Sequence, residues 1–165
     1  MTNNALGARG EALFITLITE FHAFGTEYHP LFAPAYLGEK WETVDFIVEL
    51  ERASGIQPFF FVQVNSTRRG YSADNMRLNI KVKREDVRRL SLYAVPTYIV
   101  GINDVDMKGY IVSANGEAKQ SLSTMSIAHR IDATSRQALW NEVLAFWKQP
   151  TLPKLVSTFV DSKWK

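Results

Sequence analysis

Gln63 and Asn65 stand two residues apart in the stretch PFFFVQVNSTRRGYS, directly after a run of apolar residues. On an extended segment, that spacing projects both side chains from one face. Asp45 occupies the corresponding kind of position in the preceding apolar stretch, TVDFIVEL. A hairpin-like connection would set the two stretches side by side. An aspartate on one strand and two polar groups on the next is a layout suited to a hard divalent cation. Mg²⁺ takes oxygen ligands and keeps several waters, so one carboxylate and one side-chain carbonyl suffice when backbone and water complete the shell. Such a cation polarises a phosphoryl oxygen and lowers the pKa of an attacking water.

Elements that could position these residues are legible along the chain. The spacing of Leu6, Gly10, Leu13, Phe14, Leu17, Ile18 and Phe21 predicts an amphipathic helix over 5–22, capped by Asn3 or Asn4. Glu11 lies on the margin of its apolar stripe, where the plain reading is a solvated glutamate. Pro30 and Pro34 make HPLFAPAYLGEKWE an edge or irregular strand. Thr43 to Leu50 reads as a strand with Val44, Phe46, Val48 and Leu50 on one face, and Asp45, Ile47 and Glu49 on the other. FFFVQV is apolar on both faces, as a central strand requires. RLNIKVK follows as an extended segment, then a helix from Arg84 to Tyr93 with Val87, Leu90 and Ala94 inward. PTYIVGIN and GYIVSAN read as two strands joined by a turn. A last helix, TSRQALWNEVLAFWKQP, carries a capping pattern at Thr134 and Gln137 and ends at Pro150. The sum is a mixed α/β sandwich with the sheet in the middle.

With 165 residues and 46% hydrophobic content, the chain can bury one core without staples. We read residues 1–150 as a single domain and 151–165 as a C-terminal extension. The absence of cysteine excludes disulfides and thiolate ligands. MTNNALGARGEALF lacks the basic start and apolar core of a signal peptide, and no stretch approaches the roughly 20 apolar residues of a bilayer span. The expectation is a cytoplasmic protein with no membrane contact. A net charge of +2 argues for nothing by itself, so any case for nucleic acid rests on local clustering.

Glu11 in RGEALF, VDF on a strand and FFFVQVNST on the next together resemble the PD-(D/E)XK phosphodiesterase superfamily. More narrowly, GEKWETVDFIVEL, PFFFVQVNSTRRGY and VPTYIVGI are similar to a bacterial branch of unknown function within it, over about residues 7 to 148. The resemblance implies a restriction-endonuclease-like α-β-β-β-α-β core, with a mixed central sheet flanked by helices. It implies that Asp45 binds metal, that Gln63 takes the place of a family glutamate or glutamine, and that Glu11 supports the site. It also places Asn65 where the family has lysine. An amide donates a hydrogen bond but brings no positive charge. Removing one comparable electrostatic contact costs on the order of 10²–10³ in rate. Gln63 attracts a cation less than a carboxylate does, so the site is doubly attenuated.

Other cations lie close in sequence. Arg68 and Arg69 follow within four residues of Asn65, and Lys81 and Lys83 lie on a later extended segment. An arginine clamps phosphate but handles protons poorly. KVKREDVRRL is either a solvated helix with ion pairs such as Glu85 to Arg88 or Arg89, or a phosphate-tracking edge. Asp45 could alternatively pair with Arg52, and Gln63 and Asn65 could be core amides bonded to each other. Glu49 and Glu51 are solvated strand-end charges, NST at 65–67 matches a glycosylation sequon by accident, and His22, His29 and His129 show no ligand spacing. Trp140, Phe146 and Trp147 mark core or a dimer face.

With the resemblance included, the expectation is a Mg²⁺- or Mn²⁺-dependent phosphodiesterase of nuclease type acting on DNA or RNA. Its catalytic set is Glu11, Asp45, Gln63 and Asn65, its metal ligands Asp45 and Gln63, and its nucleic-acid contacts Arg68, Arg69, Lys83 and Arg88. The alternative is a catalytically inactive module of the same fold that binds nucleic acid, a protein partner or a second copy of itself.

Overall fold

A computed structural model describes residues 2–150, apart from 25–26, 39–40 and 116–120. The C-terminal extension expected at 151–165 lies outside the described residues. The first apolar stripe forms helix α1, Asn3–Ile18, with Phe14 and Ile18 fully buried and Leu13 and Leu17 packed beside them. Its cap is Thr2, whose side chain accepts from the Ala5 N–H at 3.3 Å, so Asn3 and Asn4 fall inside the helix. The helix also stops earlier than its stripe suggests. The hydroxyls of Thr16 and Thr19 donate back to the carbonyls of Ala12 and Ile15, the local competition that threonine brings to a helix end. Phe21 is left 67% exposed rather than inward.

Strands β1, His22–Phe24, and β2, Glu27–His29, then form an antiparallel ribbon that sequence periodicity does not reveal. It sets His22 opposite His29, two histidines that looked scattered along the chain. The remaining strands are β3 (Phe32–Tyr36), β4 (Phe46–Leu50), β5 (Phe59–Thr67), β6 (Arg77–Val82), β7 (Thr97–Asn103), β8 (Lys108–Ser113) and β9 (Leu122–Ser126). Helices α2, Arg84–Ser91, and α3, Ala133–Trp147, complete the described elements.

The central sheet has the order β3-β4-β5-β7-β8. Neighbours are antiparallel except for β5 and β7, which run parallel. The Pro34-bearing strand β3 lies at the edge, where a missing N–H costs least. Central strand β5 buries Phe60 and Val62 on one face and Phe61 on the other. The first face packs against Phe14 and Ile18 of α1 and Leu139 and Val143 of α3. The second packs against Leu78, Ile80 and Val82 of β6, Val87 and Leu90 of α2, and Met125 of β9. The protein is therefore mixed α/β, with a mixed central sheet covered on both sides and three helices among the described residues. None of the helices in that region is long and apolar enough to cross a membrane.

Three local expectations are corrected. Val44 does not share a face with Phe46, Val48 and Leu50: it packs in the opposite core, because β4 begins only at Phe46 and strict alternation lapses before it. Ala94 is exposed, since α2 ends at Ser91. The cap of α3 is Asp132, whose carboxylate accepts from the Ser135 N–H at 3.0 Å, rather than Thr134. Trp140 and Trp147 pack in part against the core, and Phe146 is half-buried with its ring against that of Trp147. The Trp147 indole N–H donates to the Phe59 carbonyl at 2.8 Å, so this aromatic helix face is core.

Candidate functional site

The ladder between β4 and β5 ends at Phe46 and Val62. Beyond that point, residues from Gln63 to Thr67 pair only with β7, and one edge of β5 loses its neighbour. Asp45 sits at this divergence. Its N–H still donates to the Val62 carbonyl at 2.9 Å, while its own carbonyl accepts from the Leu37 N–H at 2.8 Å. Its carboxylate then accepts from the Val64 N–H at 2.6 Å, so the side chain takes over for one bond where the strand has left. Two residues earlier Thr43 has φ 69, a left-handed conformation that costs a β-branched residue on the order of 1–2 kcal/mol. That kink turns the chain out of the ladder.

Burial pushes the Asp45 carboxyl up to about 6; the Val64 N–H opposes this, and the nearby Glu11 charge adds to it. Glu11 is thus near enough to Asp45 for the two charges to repel. Its helix reaches the site because Gly10 lies against Ser66 of β5: a Cβ at Gly10 would fall 1.6 Å from the Ser66 Oγ and 2.9 Å from its Cβ.

Gln63 and Asn65 project from the β5 face that carries Phe61, the side opposite α1. The Gln63 Oε1 and the Asn65 Nδ2 are both buried and lack a hydrogen-bond partner. They do not bond each other, which removes the reading of a self-satisfied amide pair. No hydrogen bond among the described residues joins either amide to Asp45 or Glu11. The Asp45 carboxylate bonds the strand backbone at Val64. A buried polar atom left unpaired costs about 1–3 kcal/mol, so two on one strand face ask for a ligand or a function.

Among the described residues, no three or more His, Asp or Glu side chains are grouped to hold a metal. An all-protein cage of the calcium or zinc kind is not what these residues build. The donors present are one carboxylate at the strand divergence, a second carboxylate beside it, and an unpartnered amide oxygen. Carboxylates such as Asp45 and Glu11 are donors of the kind Mg²⁺ or Mn²⁺ binds through, leaving positions for water and phosphate oxygens, whereas the Gln63 oxygen projects from the strand face opposite the helix that carries Glu11.

Compared with known families, curated proteins and solved structures, the chain matches none.

The basic residues divide. Arg68 faces the buried carboxylate of Asp104, Nε to Oδ2 at 3.5 Å, and Arg9 of α1 donates from its Nε to Oδ1 of the same group. Sequence reasoning missed Arg9 and Asp104, which lie 95 residues apart. The only signal was an arginine next to the thin Gly10 turn. Arg69 is exposed, its N–H donating to the Thr67 hydroxyl at 3.1 Å. Lys83 is the exposed residue that precedes α2, and Arg88 is exposed in the last turn of that helix. Arg89 pairs with Glu42 rather than with Glu85. A cleft of about 410 Å³ opens elsewhere, between β7, β8 and α3, around Tyr98, His129 and Glu142; none of the candidate site residues line it.

Proposed function

We propose that this protein is a divalent-metal-dependent phosphodiesterase of nuclease type, acting on nucleic acid through an attenuated centre. One observation carries the reading: a buried carboxylate, Asp45, held at the point where two strands separate and close enough to Glu11 to feel its charge. The order of elements supports it as well. With the β1–β2 ribbon and β6 taken as additions, α1, the antiparallel β3, β4 and β5, then α2 and β7 parallel to β5 can be laid over the α-β-β-β-α-β succession of a restriction-endonuclease-like core.

In this reading Asp45 and Gln63 hold Mg²⁺ or Mn²⁺, which supplies Lewis-acid polarisation of a phosphoryl oxygen when bound. Asp45 is tuned for this, because a carboxyl raised by burial and by Glu11 regains favourable charge when a cation takes its proton's place. Glu11 sets the negative potential at the site. The Asn65 Nδ2, an unused donor, bonds a phosphate oxygen and orients the scissile group without neutralising it.

Calorimetric titration of Mn²⁺ into the full chain, beside Asp45→Ala, tests the centre. We expect a saturable heat in the wild type and none in the variant. Asn65→Lys should raise Mn²⁺-dependent cleavage of a DNA or RNA strand by about 10²-fold. A folded Asn65→Lys protein that binds Mn²⁺ and cleaves nothing would sink the enzymatic reading.

The buried, neutral amides also favour a second reading, a module of this fold that binds nucleic acid or a protein partner without catalysis. Under it, strand binding survives Asp45→Ala and follows the exposed arginines.

A further inference from the structure

We infer that Arg9 and Arg68, aimed by the buried carboxylate of Asp104, form an anion subsite that takes a backbone phosphate of a nucleic-acid strand next to Asp45. This rests on the nuclease reading for its substrate class, but not on the metal.

The three side chains are unequally buried. The Asp104 side chain is 6% exposed, whereas those of Arg9 and Arg68 are 47% and 60% exposed. One carboxylate oxygen faces each arginine, and in both cases the partner is Nε, the innermost guanidinium nitrogen. The outer Nη groups, the fork that grips phosphate, donate no hydrogen bond among the described residues. Asp104 is itself fixed, its N–H donating to the Thr67 carbonyl at 2.9 Å. A latch between α1 and the sheet would need one arginine per carboxylate. The second leaves a surplus positive charge on an exposed side chain whose 3.5 Å approach to Asp104 is longer than a normal hydrogen bond.

Place matters as much as charge. Arg9 and Glu11 flank Gly10, which touches Ser66 of β5, and Arg68 follows directly after that strand. The two guanidinium groups therefore stand at the end of the strand that carries Asn65. They bring positive charge to that strand end, Arg9 from the α1 side, while Asn65 projects from the opposite face. A phosphate seated on them would position the strand, with Asp104 as a positioning residue for both arginines.

Fluorescence anisotropy of a labelled single-stranded oligonucleotide on the full chain, with chelator present so that metal plays no part, tests this. Arg68→Gln should weaken binding roughly tenfold at low salt and reduce the slope of log K against log salt by about 0.7–0.9. Arg9→Gln should act in the same direction, and Arg68→Lys should restore part of the loss. Wild-type affinity and slope in a folded Arg68→Gln protein would overturn the subsite and leave the arginines as a latch. Inorganic phosphate competing as well as the strand at equal phosphate concentration would overturn the nucleic-acid assignment. An arginine effect that persists in a protein showing no Mn²⁺ heat would uphold the subsite while removing the metal centre.

Discussion

Asp45 places a charge where the fold makes charge expensive, and its pH dependence follows. In the folded chain burial raises its carboxyl to about 6, against 3.8 for an unperturbed aspartate. The folded state therefore holds the proton more tightly than the unfolded one. The contribution of Asp45 to stability is fullest below pH 4 and falls as pH rises towards 6, beyond which the loss levels off. Discounted for partial solvent contact, the loss is about 2 kcal/mol. Asp45→Asn removes the charge and keeps an oxygen for the Val64 N–H. Urea unfolding in chelator should find the variant more stable than wild type at pH 8 by about 2 kcal/mol, with the two converging below pH 4. A variant less stable at pH 8 would show that the carboxylate is not paying a burial penalty. Asp45 and Gln63 were legible as candidates because their chemistry and spacing are local. Arg9 and Asp104 were not, since their pairing depends on how α1 crosses the end of β5, which no local pattern encodes.

At the scale of elements, the contact between α1 and β5 aims Glu11 and Arg9. Alanine is ordinarily preferred over glycine in a helix by about 1 kcal/mol. At Gly10 that gain is overridden: the Ser66 Oγ could rotate away from a new Cβ, but the Ser66 Cβ, 2.9 Å away, could not. Gly10→Ala should therefore destabilise by about 1–3 kcal/mol as the helix shifts. Ser66→Gly should relieve the clash, so that the double variant is more stable than the sum of the single changes predicts. Thermal unfolding of the four proteins gives the coupling directly, and additive effects would mean that helix and strand are not in contact there. The helices and the five sheet strands were readable because their apolar residues recur with the right period. The β1–β2 ribbon is only three residues on each side, and β9 lies in a stretch, LSTMS, with little apolar signal. Val44 was assigned to the wrong face because period two was carried through a residue pair already outside the strand.

Across the whole molecule, the C-terminal helix is tied to the sheet by groups far apart in sequence. The indole N–H groups of Trp140 and Trp147 donate to the carbonyls of Glu51 and Phe59 at 3.0 and 2.8 Å. The Trp147 ring also lies 4.7 Å from that of Phe59 at the start of β5. These bonds join α3 to the end of β4 and the beginning of β5, while Leu139 and Val143 share one core with Phe14 and Ile18 of α1. Helices that complete one core cannot come away separately without opening it to water. Trp147→Phe keeps an aromatic ring against Phe59 and deletes the donor, leaving a carbonyl without its partner. We expect a loss of about 1–2 kcal/mol, appearing as a single transition lowered by a few degrees. Far-UV circular dichroism and tryptophan fluorescence should report the same midpoint in both proteins, as a cooperative unit requires. If fluorescence changes before the sheet signal, α3 is a separable element, and the single core drawn through α1, the sheet and α3 is wrong.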